Sequence, residues 1–131
     1  HVITDFIKKG FETGTIDMMT DGTEEREFLY AEDCCEALET IMEKYSDFTS
    51  DDDLHITTGV STSILAIAGT IQNLFRQEDR KVTVVPAESK DEVQKDARNE
   101  PDNYIRQWWL PKTSVADGIA KVFNEMKKEY D

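Results

Sequence analysis

The chain has 131 residues, of which 38% are hydrophobic and 33% are charged, and its formal net charge is −13. This size and composition suit one domain with its own core, and no apolar run reaches the ~20 residues that a membrane-spanning helix needs. The negative charge argues against nucleic acid or an anionic membrane as a partner, because phosphate groups require a basic surface.

The first predicted element is an amphipathic helix. Its apolar residues recur on one face at helical spacing, namely Val2, Ile3, Phe6, Ile7, Gly10 and Phe11. Gly14 is a natural helix stop, because glycine adopts left-handed backbone at little cost. The opening residues show no secretory signal pattern and no initiator methionine, so we expect the sequence to be a piece of a longer protein.

The next segment predicts two short strands joined by a tight turn. Thr15–Thr20 and Arg26–Tyr30 have the composition of strands. The dipeptide Asp21-Gly22 between them is typical of the primed turns that close hairpins. The sequence therefore predicts that these two strands pair with each other.

A second predicted helix begins at Asp33, whose side chain is expected to cap it, with Glu36 completing a capping-box-like pair. Its inner face is predicted from apolar residues at helical spacing, namely Cys34, Ala37, Leu38, Ile41, Met42 and Tyr45. Adjacent cysteines on a helix point in different directions, which disfavours a disulfide. Two cysteines and two histidines without metal-ligand spacing predict no zinc site and a reducing, cytoplasmic setting.

The middle of the chain alternates between loops, strands and a third helix. The Asp51–Asp53 run does not match the spacing of an EF-hand loop, so a solvated acidic loop is expected there. Leu54–Thr57 predicts a short buried strand, Ser61–Ser63 offers helix caps, and Lys81–Val85 predicts another strand. The third helix buries an apolar face made of Ile64, Leu65, Ile67, Ala68, Ile71, Leu74 and Phe75.

The last part of the chain predicts a charged loop over Glu88–Asp102 and a final helix opened by Pro111–Ser114, with Asp117 completing the cap. The inner face of that helix is expected to consist of Val115, Ile119, Val122, Phe123, Met126 and Tyr130. The order of elements predicts one small mixed α/β domain over residues 1–131, with four helices and short strands. We expect the rest of a larger protein to cover one sheet edge or face.

Four stretches of the sequence, residues 21–33, 54–64, 98–102 and 109–119, resemble one enzyme family. Residues 21–33, DGTEEREFLYAED, match the pattern GDG-x-x-x-R-x-[FY]-x-[YH]-x-x-D of the NAD-dependent nucleotide-sugar epimerases and dehydratases, the extended short-chain dehydrogenases/reductases. Residues 54–64 resemble the family's YNIGSG-x-x-TSI unit, and residues 109–119 resemble its Trp, Pro-Lys-Thr-Ser and final-helix segment. The resemblance implies that residues 1–131 are the C-terminal, substrate-binding portion of a Rossmann-type enzyme, without the N-terminal NAD-binding portion.

The resemblance also implies a set of substrate-binding residues. Arg26 and Arg98 correspond to the family's diphosphate ligands, and a guanidinium group suits a diphosphate because it is permanently charged and donates in bidentate geometry. Either Glu100 or Asp102 corresponds to the acidic residue that contacts sugar or ribose. Without the resemblance, Arg26 is an ordinary surface ion-pair residue and Arg98 a solvated loop residue.

The sequence lacks the motifs with which members of this family bind NAD and catalyse hydride transfer. It contains no glycine-rich dinucleotide fingerprint and no Tyr-x-x-x-Lys pair, which is the family's acid/base couple. We therefore expect no catalytic, cofactor-binding or metal-ligating residue here, and no NAD bound by this piece alone.

The resemblance implies that the intact enzyme is a cytoplasmic, UDP-glucose 4-epimerase-like isomerase of carbohydrate metabolism. Its substrate would be a nucleotide-sugar, its cofactor NAD, and its assembly a homodimer. Epimerase, dehydratase and reductase outcomes stay open. The alternative is a non-catalytic acidic domain on the same scaffold, which would bind a basic protein.

Overall fold

The computed structural model describes residues 1–49, 54–92 and 103–131. Within them lie four α-helices and four three-residue strands: α1 (Val2–Thr13), β1 (Thr15–Asp17), β2 (Glu25–Glu27), α2 (Ala31–Glu43), β3 (Ser61–Ser63), α3 (Ile64–Gln77), β4 (Thr83–Val85) and α4 (Val115–Lys127). Short 3-10 helices occur at Tyr45–Asp47 and Tyr104–Gln107. The prediction of a small mixed α/β domain with four helices and short strands is confirmed.

The main core lies where α1, α3 and α4 pack together over β1 and β4. Its fully buried members include Ile7, Ile16, Ile67, Ile71, Phe75, Ile119 and Phe123. The rings of Phe75 and Phe123 meet edge to face with centroids 5.0 Å apart, an arrangement that adds to the stabilisation from burial. The amphipathic patterns of α1, α3 and α4 thus identified the core, although Leu65, predicted on the inner face of α3, is 41% exposed.

The predicted hairpin around Asp21-Gly22 is wrong. β1 pairs in parallel with β4, with Ile16 opposite Val84, and β2 pairs antiparallel with β3. The buried Ile16 needs an apolar neighbour, which β4 supplies, whereas the Glu-Arg-Glu sequence of β2 stays at the surface beside the polar β3. The turn therefore joins two separate two-stranded sheets.

The predicted start and inner face of α2 are partly wrong. The helix begins at Ala31 rather than Asp33, and Tyr30 takes the N-cap position. Ala37 is fully buried against Ile105 and Trp109 in a second, smaller core. Three residues predicted on the inner face are instead exposed: Leu38, Met42 and Tyr45. Helical spacing identified which face is apolar, but the described residues do not cover all of it.

The predicted caps of the later helices are confirmed. Ser63 Oγ accepts a hydrogen bond from the Ala66 N–H at 3.0 Å, and Ser114 Oγ accepts one from the Asp117 N–H at 3.1 Å. The strand predicted at residues 54–57 is not formed, and this stretch runs as irregular chain against the second core. None of the helices in the described ranges is long and apolar enough to cross a membrane.

Candidate functional site

Arg26 lies in the middle of β2, opposite Thr62 of β3. The carbonyl of Gly22 accepts the Leu65 N–H at 2.9 Å, and that of Glu24 accepts the Ile64 N–H at 3.1 Å. These hydrogen bonds fix the segment that leads into β2 against the first turn of α3. The backbone of Arg26 is therefore held rigidly, while its side chain remains 38% exposed.

The guanidinium group of Arg26 is engaged by two acceptors. Its Nη2 donates to the Oδ2 of Asp91 at 2.5 Å, and its Nη1 donates to the carbonyl oxygen of Glu25 at 3.1 Å. The side chain of Asp91 is only 14% exposed, so this ion pair is partly shielded from water. Screening by water is reduced at such a site, and the charge of Arg26 is largely compensated.

Asp91 reaches Arg26 because the chain after β4 crosses over the turn after β1. The Ala87 N–H donates to the Thr20 carbonyl at 2.9 Å, and the Asp21 N–H donates to the Ser89 carbonyl at 2.8 Å. The hydroxyl of Ser89 donates to the carbonyl of Met19 at 2.9 Å. We call residues 86–91 the strap; its anchors at Ala87 and Ser89 bring the following residues, including Asp91, close to Arg26.

A cavity of about 410 Å³ opens beside Arg26. A second cation, Lys9, lines it, and the Lys9 Nζ lies 3.0 Å from both the Asp5 Oδ2 and the Asp17 carbonyl oxygen. The carboxylates of Asp5, Asp17 and Glu24 also line the cavity. The side chains of Lys9 and Arg26 are thus both paired with acceptors, so their positive charges alone do not make this cavity attractive to anions.

Two further features of this cavity bear on a ligand. The side chain of Met19 is 89% exposed at its edge and offers an apolar surface. The Oε1 of Glu24 accepts a hydrogen bond from the Thr20 hydroxyl at 2.5 Å, whereas the Oε2 is buried without a partner among the described residues. A buried carboxylate oxygen without a donor is costly, and this oxygen is inaccessible to solvent.

The other residues predicted for the site, Arg98, Glu100 and Asp102, lie outside the described residues, as does the Asp51–Asp53 run. The convergence of Arg26 and Arg98 therefore stays a prediction. Sequence reasoning missed Asp91, which lies 65 residues from Arg26. Because that contact depends on the strap, no local pattern in the sequence marks it.

Asp33, predicted as a helix cap, has a different role. It is buried, and its carboxylate oxygens accept the backbone N–H groups of Lys112 at 3.2 Å and Thr113 at 2.9 Å. Glu36, its predicted capping partner, instead accepts a hydrogen bond from the Nζ of Lys112 at 3.0 Å. These contacts hold the start of α2 against the loop that precedes α4.

Two other cavities differ from the one beside Arg26. A cavity of about 340 Å³ between α1, α4 and the start of α2 has an apolar lining that includes neither Lys nor Arg. A cavity of about 590 Å³ at the end of α3 is lined by Arg76, Arg80 and Lys81, together with Asp79. Cations are favourable at the C-terminus of a helix, and Arg80 also lies 5.0 Å from the centre of the Phe11 ring, so these residues already have structural roles.

The fold and the cavity define the class of the protein as a small α/β domain in which a strand carries an arginine, Arg26, at the edge of a cavity of about 410 Å³. Residues 1–57 match the family model described as the NAD dependent epimerase/dehydratase family. The GDP-L-fucose synthase of Sinorhizobium fredii (strain NBRC 101917 / NGR234) is 29% identical over 128 residues, which are 94% of this chain and 39% of that enzyme. Over residues 1–57 the chain is thus similar to the NAD-dependent epimerase/dehydratase family.

Solved structures agree on the fold. An epimerase from Methanothermobacter thermautotrophicus superposes with a TM-score of 0.80 at 16% identity, over 99% of this chain and 38% of that one. The UDP-glucose 4-epimerase of Thermotoga maritima superposes with a TM-score of 0.74 at 19% identity, over 100% of this chain and 40% of that one. The chain thus spans about two fifths of the length of each relative named here.

Proposed function

We propose that this chain is the C-terminal, nucleotide-sugar-binding portion of an NAD-dependent epimerase, dehydratase or reductase. The observation that carries the proposal is the position of Arg26, whose side chain stands at the edge of a cavity of about 410 Å³ on a rigidly held strand. In this proposal the guanidinium group binds the diphosphate. Arg98 supplies the second guanidinium, and Glu100 or Asp102 accepts hydrogen bonds from sugar or ribose hydroxyls.

The cavity offers complementary groups for the rest of a nucleotide-sugar. Met19 presents an exposed thioether side chain against which a nucleobase can pack. Glu24 lines the same cavity, and in this proposal its carboxylate accepts a hydrogen bond from a hydroxyl group of the ligand. Binding these non-reacting parts of the substrate positions the sugar for chemistry performed by residues elsewhere in the enzyme.

We propose no NAD site in this chain. The glycine-rich fingerprint and the Tyr-x-x-x-Lys pair are both missing from it. We therefore assign no residue here to NAD, and we place NAD binding and hydride transfer in a separate portion of the longer protein. In the intact enzyme NAD would accept and return the hydride, and this chain would determine which substrate is presented.

The proposal is tested by titrating the chain with UDP-glucose in a calorimeter, with and without Arg26→Gln. The variant keeps the length and polarity of the side chain but removes its charge, so we expect binding to weaken about tenfold or more. Arg76→Gln is the matched control, because Arg76 lines the other, more basic cavity. Equal affinities of the wild type and Arg26→Gln would contradict the diphosphate role, and weakening only by Arg76→Gln would move the anion to the cavity at the end of α3.

The identity of the nucleotide is a separate question. We propose a UDP-sugar, as for a UDP-glucose 4-epimerase, although the curated relative is named for a GDP-sugar. A parallel titration with GDP-mannose decides between the two. Tighter binding of UDP-glucose would support the UDP assignment, and tighter binding of GDP-mannose would overturn it while leaving the diphosphate role intact.

A second candidate function rests on α2. Leu38 and Met42 form an exposed apolar stripe on α2, the exposed Tyr45 follows in the short 3-10 helix, and Glu39 and Glu43 lie on α2 as well. A non-catalytic interaction domain would use this face to bind a basic protein, and it would bind no nucleotide-sugar. Such an association would weaken steeply with salt, because charges between exposed surfaces are screened.

A further inference from the structure

The carboxylate of Asp91 occupies one of the Arg26 N–H donors that a diphosphate could use. The Nη2 of Arg26 lies 2.5 Å from the Oδ2 of Asp91, while its Nη1 donates to the carbonyl oxygen of Glu25 at 3.1 Å. Carboxylate and phosphate oxygens bind a guanidinium group through the same N–H groups. A diphosphate that approaches the Asp91 side of Arg26 therefore competes with the carboxylate for the same N–H group and for the same positive charge.

We propose that Asp91 is a built-in competitor that neutralises Arg26 when no ligand is bound and is displaced by the diphosphate. This inference rests on the proposed function of Arg26 and goes beyond it by assigning a role to the strap. Asp91 lowers the affinity for the ligand, because part of the binding free energy is used to break the ion pair.

The strap is suited to such a displacement. Its backbone is anchored to the turn through Ala87 and Ser89, and Asp91 follows the second of these anchors by two residues. The carboxylate can therefore move away while the anchored part keeps its place. The partial burial of the Asp91 side chain, at 14% exposure, means that the pair is shielded enough to compete with a ligand.

The surrounding charges make the competitor effective. Glu25 and Glu27 flank Arg26 in the sequence, and Glu24 and Asp17 line the cavity beside it. A diphosphate that reaches Arg26 meets this negative field as well as the carboxylate of Asp91. Removing one carboxylate from direct contact with Arg26 should therefore increase the affinity for anions specifically at this site.

The test uses inorganic pyrophosphate as the probe, because it carries the shared chemistry without a base or a sugar. Asp91→Asn keeps the shape of the side chain but removes its charge. We expect it to bind pyrophosphate about fivefold more tightly than the wild type, as suits the loss of a partly exposed ion pair. Glu88→Gln is the matched control, since it removes one charge from an exposed position on the same strap and should leave the affinity unchanged.

The double variant Arg26→Gln/Asp91→Asn should lose the gain, and the Nε–Hε signal of Arg26 in NMR spectra should shift with pyrophosphate more strongly in Asp91→Asn. An unchanged or weaker affinity in Asp91→Asn, with Arg26→Gln still weakening binding, would overturn the competitor and leave the proposed function standing. Equal gains in Asp91→Asn and Glu88→Gln would also overturn it, because the effect would then be a general one of net charge. If Arg26→Gln does not weaken binding, the proposed function itself is wrong.

Discussion

The Oδ2 of Asp33 accepts a hydrogen bond from the backbone N–H of Thr113 at 2.9 Å, although the two residues are 80 positions apart. The other carboxylate oxygen accepts the Lys112 N–H at 3.2 Å, and the residue is 4% exposed. Hydrogen bonds to a buried charged group are stronger than neutral ones, and both donors would be left unsatisfied without it. Asp33→Ala should therefore lower the free energy of unfolding by about 2–3 kcal/mol.

Glu36→Gln is the matched control for that prediction. It removes the charge that pairs with the Nζ of Lys112, but this pair is exposed, with 72% of the Lys112 side chain accessible. The expected loss is within about 0.5 kcal/mol, as for most surface ion pairs. Urea unfolding of both variants measures the difference, and equal small losses would show that Asp33 does not hold the loop against α2.

Patterns between neighbouring residues predicted the helices and helix caps that depend on neighbouring residues. The amphipathic spacing of α1, α3 and α4 and the side-chain caps at Ser63 and Ser114 depend only on neighbours along the helix. The hairpin failed because strand pairing depends on tertiary burial, and Ile16 is buried beside Val84 rather than beside β2. The same reason explains why the role of Asp33 was predicted wrongly, since its hydrogen-bond partners, Lys112 and Thr113, lie in a loop that is distant in the sequence.

In the candidate site, too, one part could be predicted from neighbouring residues and the other depends on tertiary structure. Arg26 could be singled out in advance because a contiguous motif surrounds it. Its pairing with Asp91 could not, since the strap that positions Asp91 is held by two backbone hydrogen bonds and one from the Ser89 hydroxyl, and none of them involves Arg26 or its neighbours in the motif after Asp21. The cavity beside Arg26 is likewise formed by α1, the turn after β1 and the start of α3, and its charge balance follows from tertiary structure alone.

The exposed stripe on α2 predicts a variant that leaves the folded chain unaffected. Leu38 is 50% exposed and Met42 is 79% exposed, so Leu38→Gln/Met42→Gln should change the free energy of unfolding by less than about 0.5 kcal/mol. Ile71→Ala, in the fully buried core, should cost about 2–5 kcal/mol and serves as the control. In a longer protein that contains this chain, the α2 variant should lower the melting temperature, because large exposed apolar surfaces mark interfaces. A loss above about 2 kcal/mol in the isolated chain would contradict the exposure of this face.

Two glycines predict opposite effects of the same substitution. Gly22 has a φ of 77°, and a Cβ there would lie 3.0 Å from the Leu65 backbone nitrogen and 2.4 Å from the Met18 Cε. Gly22→Ala should therefore destabilise the chain by about 1–3 kcal/mol. Gly69 lies within α3 with nothing within 4 Å of the added Cβ, so Gly69→Ala should stabilise by about 0.5–1 kcal/mol. Thermal unfolding compares the two, and a stabilising Gly22→Ala would refute the left-handed conformation of this turn.

The turn before β2 predicts a specific loss of stability in acid. The Oδ1 of Asp21 accepts the Thr23 N–H at 3.0 Å and the Thr23 hydroxyl at 2.7 Å, and these bonds, the backbone one first, lower the pKa of Asp21 below its ordinary value of 3.8. A carboxyl group whose pKa is lower in the folded state stabilises above its unfolded pKa, and this contribution is lost as the pH falls through the folded pKa.

The difference in urea midpoint between the wild type and Asp21→Asn should therefore be larger at pH 7 than near pH 2.5. Thr23→Val removes the hydroxyl donor but keeps the backbone N–H, so it should abolish only part of this pH dependence. The same midpoint difference at both pH values would show that the two hydrogen bonds favour neither protonation state of Asp21.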